Sequence, residues 1–373
     1  MNLTQYDQFK LIFFVNGSEV SSAGVRAKMF ADRLPSRWKV HFNYRPAKKW
    51  KGILSFVQSA LRFQPDVIYV MDTAYSGVLA GCIAKKLTGC KLVIDTGDAA
   101  FELAKSKGIY SERQLALINW IEQIAIENSD CLIVRGSYHK SWLESQGINK
   151  VVFVPDGVDI NEAKPVDATA LKTELGLENN LVVGLVGKMS WSQRHQMCYG
   201  WDIIEALGLL KDLPVKALLV GDGNGRPLLE SRAKQLGIAN RVVFTGQIPY
   251  DDLPRYLSAM DVCLSTQSND LVGMVRTTGK LPLYLAYGKY VVATNVGEAS
   301  RVLPGVGCLL PYNGVRDDTY PPRLAEHLRK LLAEPNLLSI CEKARQVAKD
   351  NFDYEMLAKR VENVCRELVG RKD

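Results

Sequence analysis

The residues best placed to do chemistry are cations and hydroxyls set beside glycines. Gly187-Lys188-Met189-Ser190 follows an apolar run and leads, through Trp191, Arg194 and His195, to the helical stretch GWDIIEALGLL. Lys188 and Arg194 would put two positive charges at the mouth of one crevice. They suit a diphosphate, arginine as a bidentate donor and lysine as a point charge. Removing one well-placed donor to developing leaving-group charge costs about 3 to 4 kcal/mol in comparable sites. Solvated surface charge is the competing reading of both residues. Further on, Arg276-Thr277-Thr278-Gly279-Lys280 precedes the helical run LPLYLAY. Small residues ahead of a helix present free N–H groups and the positive end of its dipole, with Lys280 alongside, which suits phosphate. A plain helix cap explains the same residues without a ligand.

These residues need a scaffold that gathers loops, and the stretch 216–296 reads as one. Four short β-branched or apolar runs, 217–220, 242–245, 262–265 and 290–294, alternate with segments of helical spacing. That is the pattern of a parallel sheet with crossover helices. Each run ends in small or polar residues: Gly221-Asp222-Gly223, Gly246-Gln247, Thr266-Gln267, then Asn295-Val296-Gly297. Ligands of open α/β sheets lie outside the carboxyl ends of the strands, so these loops would line one crevice.

The first part of the chain repeats the scheme, with strands expected at 10–15, 38–43, 67–71, 91–95, 131–135 and 151–155. The loop NGSEVSSAG, with Gly24 near its end, lets backbone N–H groups meet an anion, or is an ordinary turn into a helix. Asp95 and Asp98 sit where a strand runs into a loop, and Asp98 either projects into the crevice or caps the helix beginning AAFELA. The stretch DGVDINEAKPVDATA lacks periodicity and is read as the link. The expected organisation is a first domain over 1–160, a second over 161–350, and a helix at 351–373 packing back on the first.

At 373 residues the chain has room for two cores, and 47% hydrophobic with 23% charged residues is the balance of a globular protein. A net charge of +7 is too mild for a nucleic-acid binder and suits an anionic small molecule or acidic membrane surface. The eight cysteines are scattered singly, as buried reduced thiols would be, and no apolar run approaches a membrane span. A cytoplasmic protein is expected. Residues 45–63 read as a basic amphipathic helix, with Trp50, Ile53, Leu54, Val57 and Leu61 on one face and Lys48, Lys49, Lys51 and Arg62 near it. Such a helix lies on an anionic membrane or is a crossover helix with a solvated fringe. No phosphate-loop or Gly-x-Gly-x-x-Gly fingerprint opens the first helix, which disfavours a kinase or dehydrogenase.

Taken together, Gly187-Lys188, LLVGDGNGRPLLE, RVVFTGQIPYDDLPRYLSAMDVCLST and GKLPLYLAYGKYVVATNVG resemble the nucleotide-sugar-binding half of GT-B glycosyltransferases, most of all family 4. The resemblance runs over essentially the whole chain: VPDGVD at 154–159 matches that family's interdomain segment, and the Gly24 loop its first-domain glycine loop. It implies an α/β fold of two Rossmann-like doubly wound domains facing across a cleft. It also implies a retaining transferase moving a sugar from a nucleoside diphosphate sugar to an acceptor hydroxyl. Lys188 matches a basic residue on the diphosphate, whereas Tyr199 occupies the usual slot of a second lysine, leaving Arg194 as its replacement. Gln247 and Ile248 match the turn that reads the base, and Thr278 and Gly279 the loop whose amides hold phosphate. With Gly24, Arg276, Thr277, Lys280 and Leu283 they make up the expected donor-binding set.

The sequence departs from that family at its two glutamates eight positions apart, one touching the transferred sugar and one the ribose. Val275 and Leu283 stand there. A hydrogen bond to a charged group contributes about 1.5 to 3 kcal/mol, so losing the ribose contact would weaken binding roughly ten- to a hundredfold. Glu298 or Asp270 would be the substitute, or transfer has been lost and the chain binds a nucleotide sugar or supports a partner. No histidine occurs in VMDTAYSG or DTGDAAFE, where the family often has one, so Asp98, then Asp72, is the preferred polar group near the acceptor. With no Asp-x-Asp triplet, metal-independent transfer without a cofactor is expected.

Overall fold

Runs of Val, Ile, Leu and Phe without polar alternation can be satisfied only as strands covered on both faces. In the computed structural model, which describes residues 8–46 and 48–370, they form two parallel six-stranded sheets. The first contains β1 (Phe9–Val15), β2 (Trp38–Tyr44), β3 (Val67–Met71), β4 (Lys91–Thr96), β5 (Cys131–Val134) and β6 (Val151–Phe153), in the order β2-β1-β3-β4-β5-β6. The second contains β7 (Leu181–Val186), β8 (Val215–Val220), β9 (Val242–Gly246), β10 (Val262–Ser265), β11 (Tyr290–Thr294) and β12 (Gly307–Leu310), in the order β12-β11-β10-β7-β8-β9. In each sheet the first strand has neighbours on both sides, so the winding reverses beside β1 and beside β7. Crevices open at such reversals.

The chain divides into two units, Met1–Gly157 with Tyr354–Asp373, and Val158–Asp353. In unit 1, Leu11, Phe13 and Val15 face a cluster with Ala27 and Phe30 of the helix Ser22–Ala31 and Leu357 and Val361 of the helix Tyr354–Val369. Ile12 and Phe14 face the opposite cluster, where Phe56 and Ala60 of the helix Lys49–Phe63 pack. Unit 2 likewise carries one core on each face of its sheet: Val183 and Leu185 turn to one, Val182 to the other.

Three local readings shift. β12 was not anticipated, being four residues set off by a turn. The helix Tyr320–Ala333 starts earlier than the apolar spacing implies, because Pro321 and Pro322 sit in the first turn, where their missing N–H groups cost nothing. The spacing over 337–348 reads as a single helix, but the structure has a 3₁₀ turn, Pro335–Leu338, followed by the helix Cys341–Phe352.

Candidate functional site

The carboxyl ends of β7, β8 and β9 surround a cavity of about 700 Å³, lined by Gly187-Lys188, Gly221–Gly223 and the turn from Gln247 to Tyr250. That volume lies within the range of roughly 300–1,000 Å³ of small-molecule sites. The loops touch backbone to backbone: Gly187 N–H donates to Val220 O at 2.9 Å, Met189 N–H to Asp222 O at 3.0 Å, and Gly221 N–H to Gly246 O at 3.0 Å. Only glycine permits this, since a Cβ on Gly221 would overlap the Gly187 carbonyl and one on Gly223 the Met189 carbonyl, at φ of 127° and 157°. Lys188 is exposed on the rim, and Gln247 and Ile248 line the wall.

Beside β7 the helix Lys280–Ala286 is bolted to the strand end, where Tyr284 Oη accepts from Val186 N–H at 2.8 Å. This brings Lys280 against Gly187, whose Cβ, were there one, would sit 2.8 Å from Lys280 Cε. Nζ lies 3.1 Å from the centroid of the Tyr199 ring. The residue as a whole is half-buried, yet Nζ itself is buried and has no hydrogen-bond partner, and Thr278 Oγ1 is in the same condition. Burial and then the neighbouring Arg276 push the Lys280 amine down to about 7. Thr277 is buried, and the loop holding Arg276 and Thr277 is fastened by Gln267, whose Nε2 donates to Gly273 O at 2.9 Å and Arg276 O at 3.3 Å.

Other expected residues fall elsewhere. Arg194 is exposed on the turn closed by the Ser192–Met197 bridge and does not line the cavity. Val275 is buried and Leu283 packs against the core. Asp270 caps the short helix Leu271–Met274, its Oδ1 accepting from Gly273 N–H at 2.9 Å, and Glu298 is buried against Arg301 at 2.8 Å. Both carboxylates are thus engaged in local structure.

Gly24 and Asp98 belong to unit 1. Gly24 is required because the carbonyls of Ser18 and Glu19 press on the place its Cβ would take. Asp98 is not the cap of the helix Ala100–Lys107: Glu122 reaches over from the helix Glu112–Asn128 and accepts from Ala100 and Phe101 N–H at 2.5 and 3.1 Å. Asp95 does not face open space. It is fully buried, with Arg26 Nε at 2.9 Å, Arg135 Nε at 2.8 Å and the Tyr69 hydroxyl at 2.8 Å. Arg135 also reaches Asp72 at 2.8 Å. His139, which sequence reasoning passed over, is buried with Nδ1 lacking a hydrogen-bond partner. Burial pushes it down to about 4 against the opposing pull of Asp98. Its signal was its place in RGSYH, just after β5.

Comparison with known proteins fits this geometry. Residues 180–334 match the family described as Glycosyl transferases group 1. The chain is 27% identical over 223 residues to the 2-deoxystreptamine glucosyltransferase of Streptomyces kanamyceticus, a match spanning 57% of this chain and 56% of that one. It is 26% identical over 325 residues to the putative colanic acid biosynthesis glycosyl transferase WcaI of Escherichia coli, covering 83% and 74% respectively. Anabaena HepE, solved in complex with UDP-glucose, superposes with a TM-score of 0.76 at 21% identity over 96% of this chain and 99% of that one. The fold is thus that of GT-B glycosyltransferases.

Proposed function

We propose that this chain, of which residues 180–334 match group 1 glycosyltransferases and whose fold is GT-B, is a transferase whose donor is a nucleoside diphosphate sugar and whose acceptor offers a hydroxyl. The observation that carries this reading is the cavity at the ends of β7–β9, walled by Gly187-Lys188 and Gln247-Ile248, beside the buried amine of Lys280. The wall offers a base a turn of mixed polar and apolar surface. Lys188 and Lys280 offer a diphosphate positive charge. In the reaction proposed, the acceptor hydroxyl attacks the anomeric carbon from the face the nucleotide leaves, retaining configuration. Lys188 stabilises the departing diphosphate without a metal, with Lys280 in the place first expected of Arg194, the proton passes to the leaving phosphate, and Asp98 is assigned to orienting the acceptor. A panel of sugar nucleotides tests the reading: one should raise the melting temperature and release free nucleotide when acceptors are supplied. Failure of every donor to bind would sink it.

A second reading keeps the fold and loses the transfer. It is favoured by Val275, buried where the resemblance expects a carboxylate. Calorimetric binding of a donor with no nucleotide release in any acceptor mixture would decide for it.

We also propose contact with an anionic membrane through 45–63. Trp50 is 60% and Leu54 58% exposed on the helix Lys49–Phe63, beside Lys51 and Arg62, and exposed apolar groups rimmed by cations suit such a surface. Ala47 and the side chain of Lys49, part of that basic stretch, lie outside the described residues. No helix among the described residues is long and apolar enough to cross a membrane. Pelleting with anionic vesicles should fall in the Lys48→Glu, Lys49→Glu, Lys51→Glu triple variant, and equal pelleting removes the proposal.

A further inference from the structure

Lys280 is in a state that a folded protein does not reach without a reason. Its Nζ is buried and no hydrogen-bond partner is present, although an ammonium carries three donors and a buried unpaired charge is costly. Thr278 Oγ1, two residues earlier, is also buried and unpartnered. Both point to an absent acceptor, and what surrounds them indicates its kind. Packed near Nζ are the ring of Tyr199, at 3.1 Å from its centroid, and Gly187 at the end of β7. The charge acting on it from its own loop is the cation Arg276. Lys188, next to Gly187, lies on the cavity wall. The charges named are all positive, and the missing group is an anion. Tyr199 stands where the resemblance expects a lysine, and the amine of Lys280 lies on the face of that tyrosine. A cation lost from one element has been returned from another.

Resting on the nucleotide-sugar reading above, we infer that Lys280 is the second diphosphate cation of this chain, and that donor binding makes it take up a proton: as the diphosphate arrives, Nζ takes one proton from solution and donates to phosphate oxygen. One N–H bond forms, the buffer loses the proton, and the new ammonium pairs with the anion. The state of the free amine, pushed down to about 7 by burial and Arg276, fits this. One unit above that, at pH 8, only about one chain in ten would carry the charge before binding, and an opposite charge within reach restores it. Tyr199 gives the ammonium a π face as well, which a lysine at that position would not. Donor capture is thereby coupled to pH through a residue outside the family's usual cation set.

The test is calorimetric titration of the full chain with UDP-glucose, and in parallel with GDP-glucose and ADP-glucose. Runs at pH 8 use HEPES and Tris, whose ionisation heats differ. The diphosphate of these donors is diesterified and does not itself titrate near neutrality. For the donor that binds, the wild type should take up close to one proton per site at pH 8 and a small fraction of one at pH 6. Lys280→Met should take up none, bind at least tenfold more weakly at pH 6, and lose the decline in affinity between pH 6 and pH 8. Lys280→Arg, permanently charged, should recover binding with no proton uptake, which separates lost charge from a damaged fold. If a donor binds the wild type and Lys280→Met alike, or binds with no proton taken up at pH 8, the inference fails and the donor reading stands. If none of the three binds, the donor reading fails and takes the inference with it.

Discussion

An amine buried without an acceptor keeps the folded chain from holding a proton that the unfolded chain would bind. Lys280 titrates near 7 when folded against roughly 10.4 when exposed. Between those values the unfolded state carries more protons, so this residue makes stability rise with pH across that window. The ligand-free Lys280→Met variant should therefore melt higher than wild type at pH 7 to 8, by an amount on the order of a few kcal/mol at most, and show less gain between pH 7.5 and 9.5. A lower melting temperature for the variant at both pH 7.5 and pH 9.5 would mean the amine has a partner and is not strained. The sequence showed a cation ahead of a helix at Lys280, but not its orphaned state. That depends on Tyr199 and Gly187, which are remote in the chain and meet it only in the fold. Asp98 teaches the same: its place before AAFELA satisfied the rule for a cap, yet Glu122 from another helix holds the two N–H groups.

Strands are where local chemistry and fold agreed most closely. β3, β7, β10 and β11 are short, mostly apolar runs, and their bounds follow from composition because both faces are covered. β12 escaped because its residues are all half-buried and Gly307 gives no β signal. What the runs could not reveal is how the strand ends of unit 1 are fastened. Asp95 at the end of β4 holds Arg26 from the helix Ser22–Ala31 and Arg135 after β5, while Arg26 also donates to Val154 and Pro155 carbonyls at 2.7 and 2.6 Å. One carboxylate thus ties two strands, a helix and the chain beyond β6. Burial raises the Asp95 pKa and the two guanidiniums lower it, with a net shift below the ordinary carboxylate value. Its contribution is therefore full above the unfolded value of about 3.9 and lost as pH falls through the lower folded value. Asp95→Asn leaves two buried guanidiniums uncompensated and should cost about 3 to 5 kcal/mol, read as a lower melting temperature at pH 7 and a loss of the wild type's low-pH transition. A variant melting within a degree of wild type would mean that the network is replaceable by neutral groups.

At the scale of the whole chain, both units are parallel six-stranded sheets with different strand orders, and the shared class was legible because each repeats the alternation of apolar run and helical segment. The cut at Gly157/Val158 falls within VPDGVD, and the chain rejoins unit 1 at Tyr354, within the 351–373 segment that was expected to pack back on the first domain; the apolar face of that helix would fit any sheet, so its local pattern did not say which. Every residue lining the cavity assigned to the donor belongs to unit 2, so a sugar nucleotide bound there would act first on that unit's stability. At a hundred times its dissociation constant a ligand contributes about 2.7 kcal/mol to the state that binds it. Hydrogen exchange with and without the donor should then show slower exchange at residues 186–189, 220–223 and 246–250, where the loops after β7, β8 and β9 hold one another. The interior of β3 in unit 1, Val67–Met71, should exchange as before. Slower exchange at β3 with none at those three loops would place the nucleotide on the other unit. It would leave the glycine-lined cavity, and the orphaned amine beside it, without the ligand assigned to them.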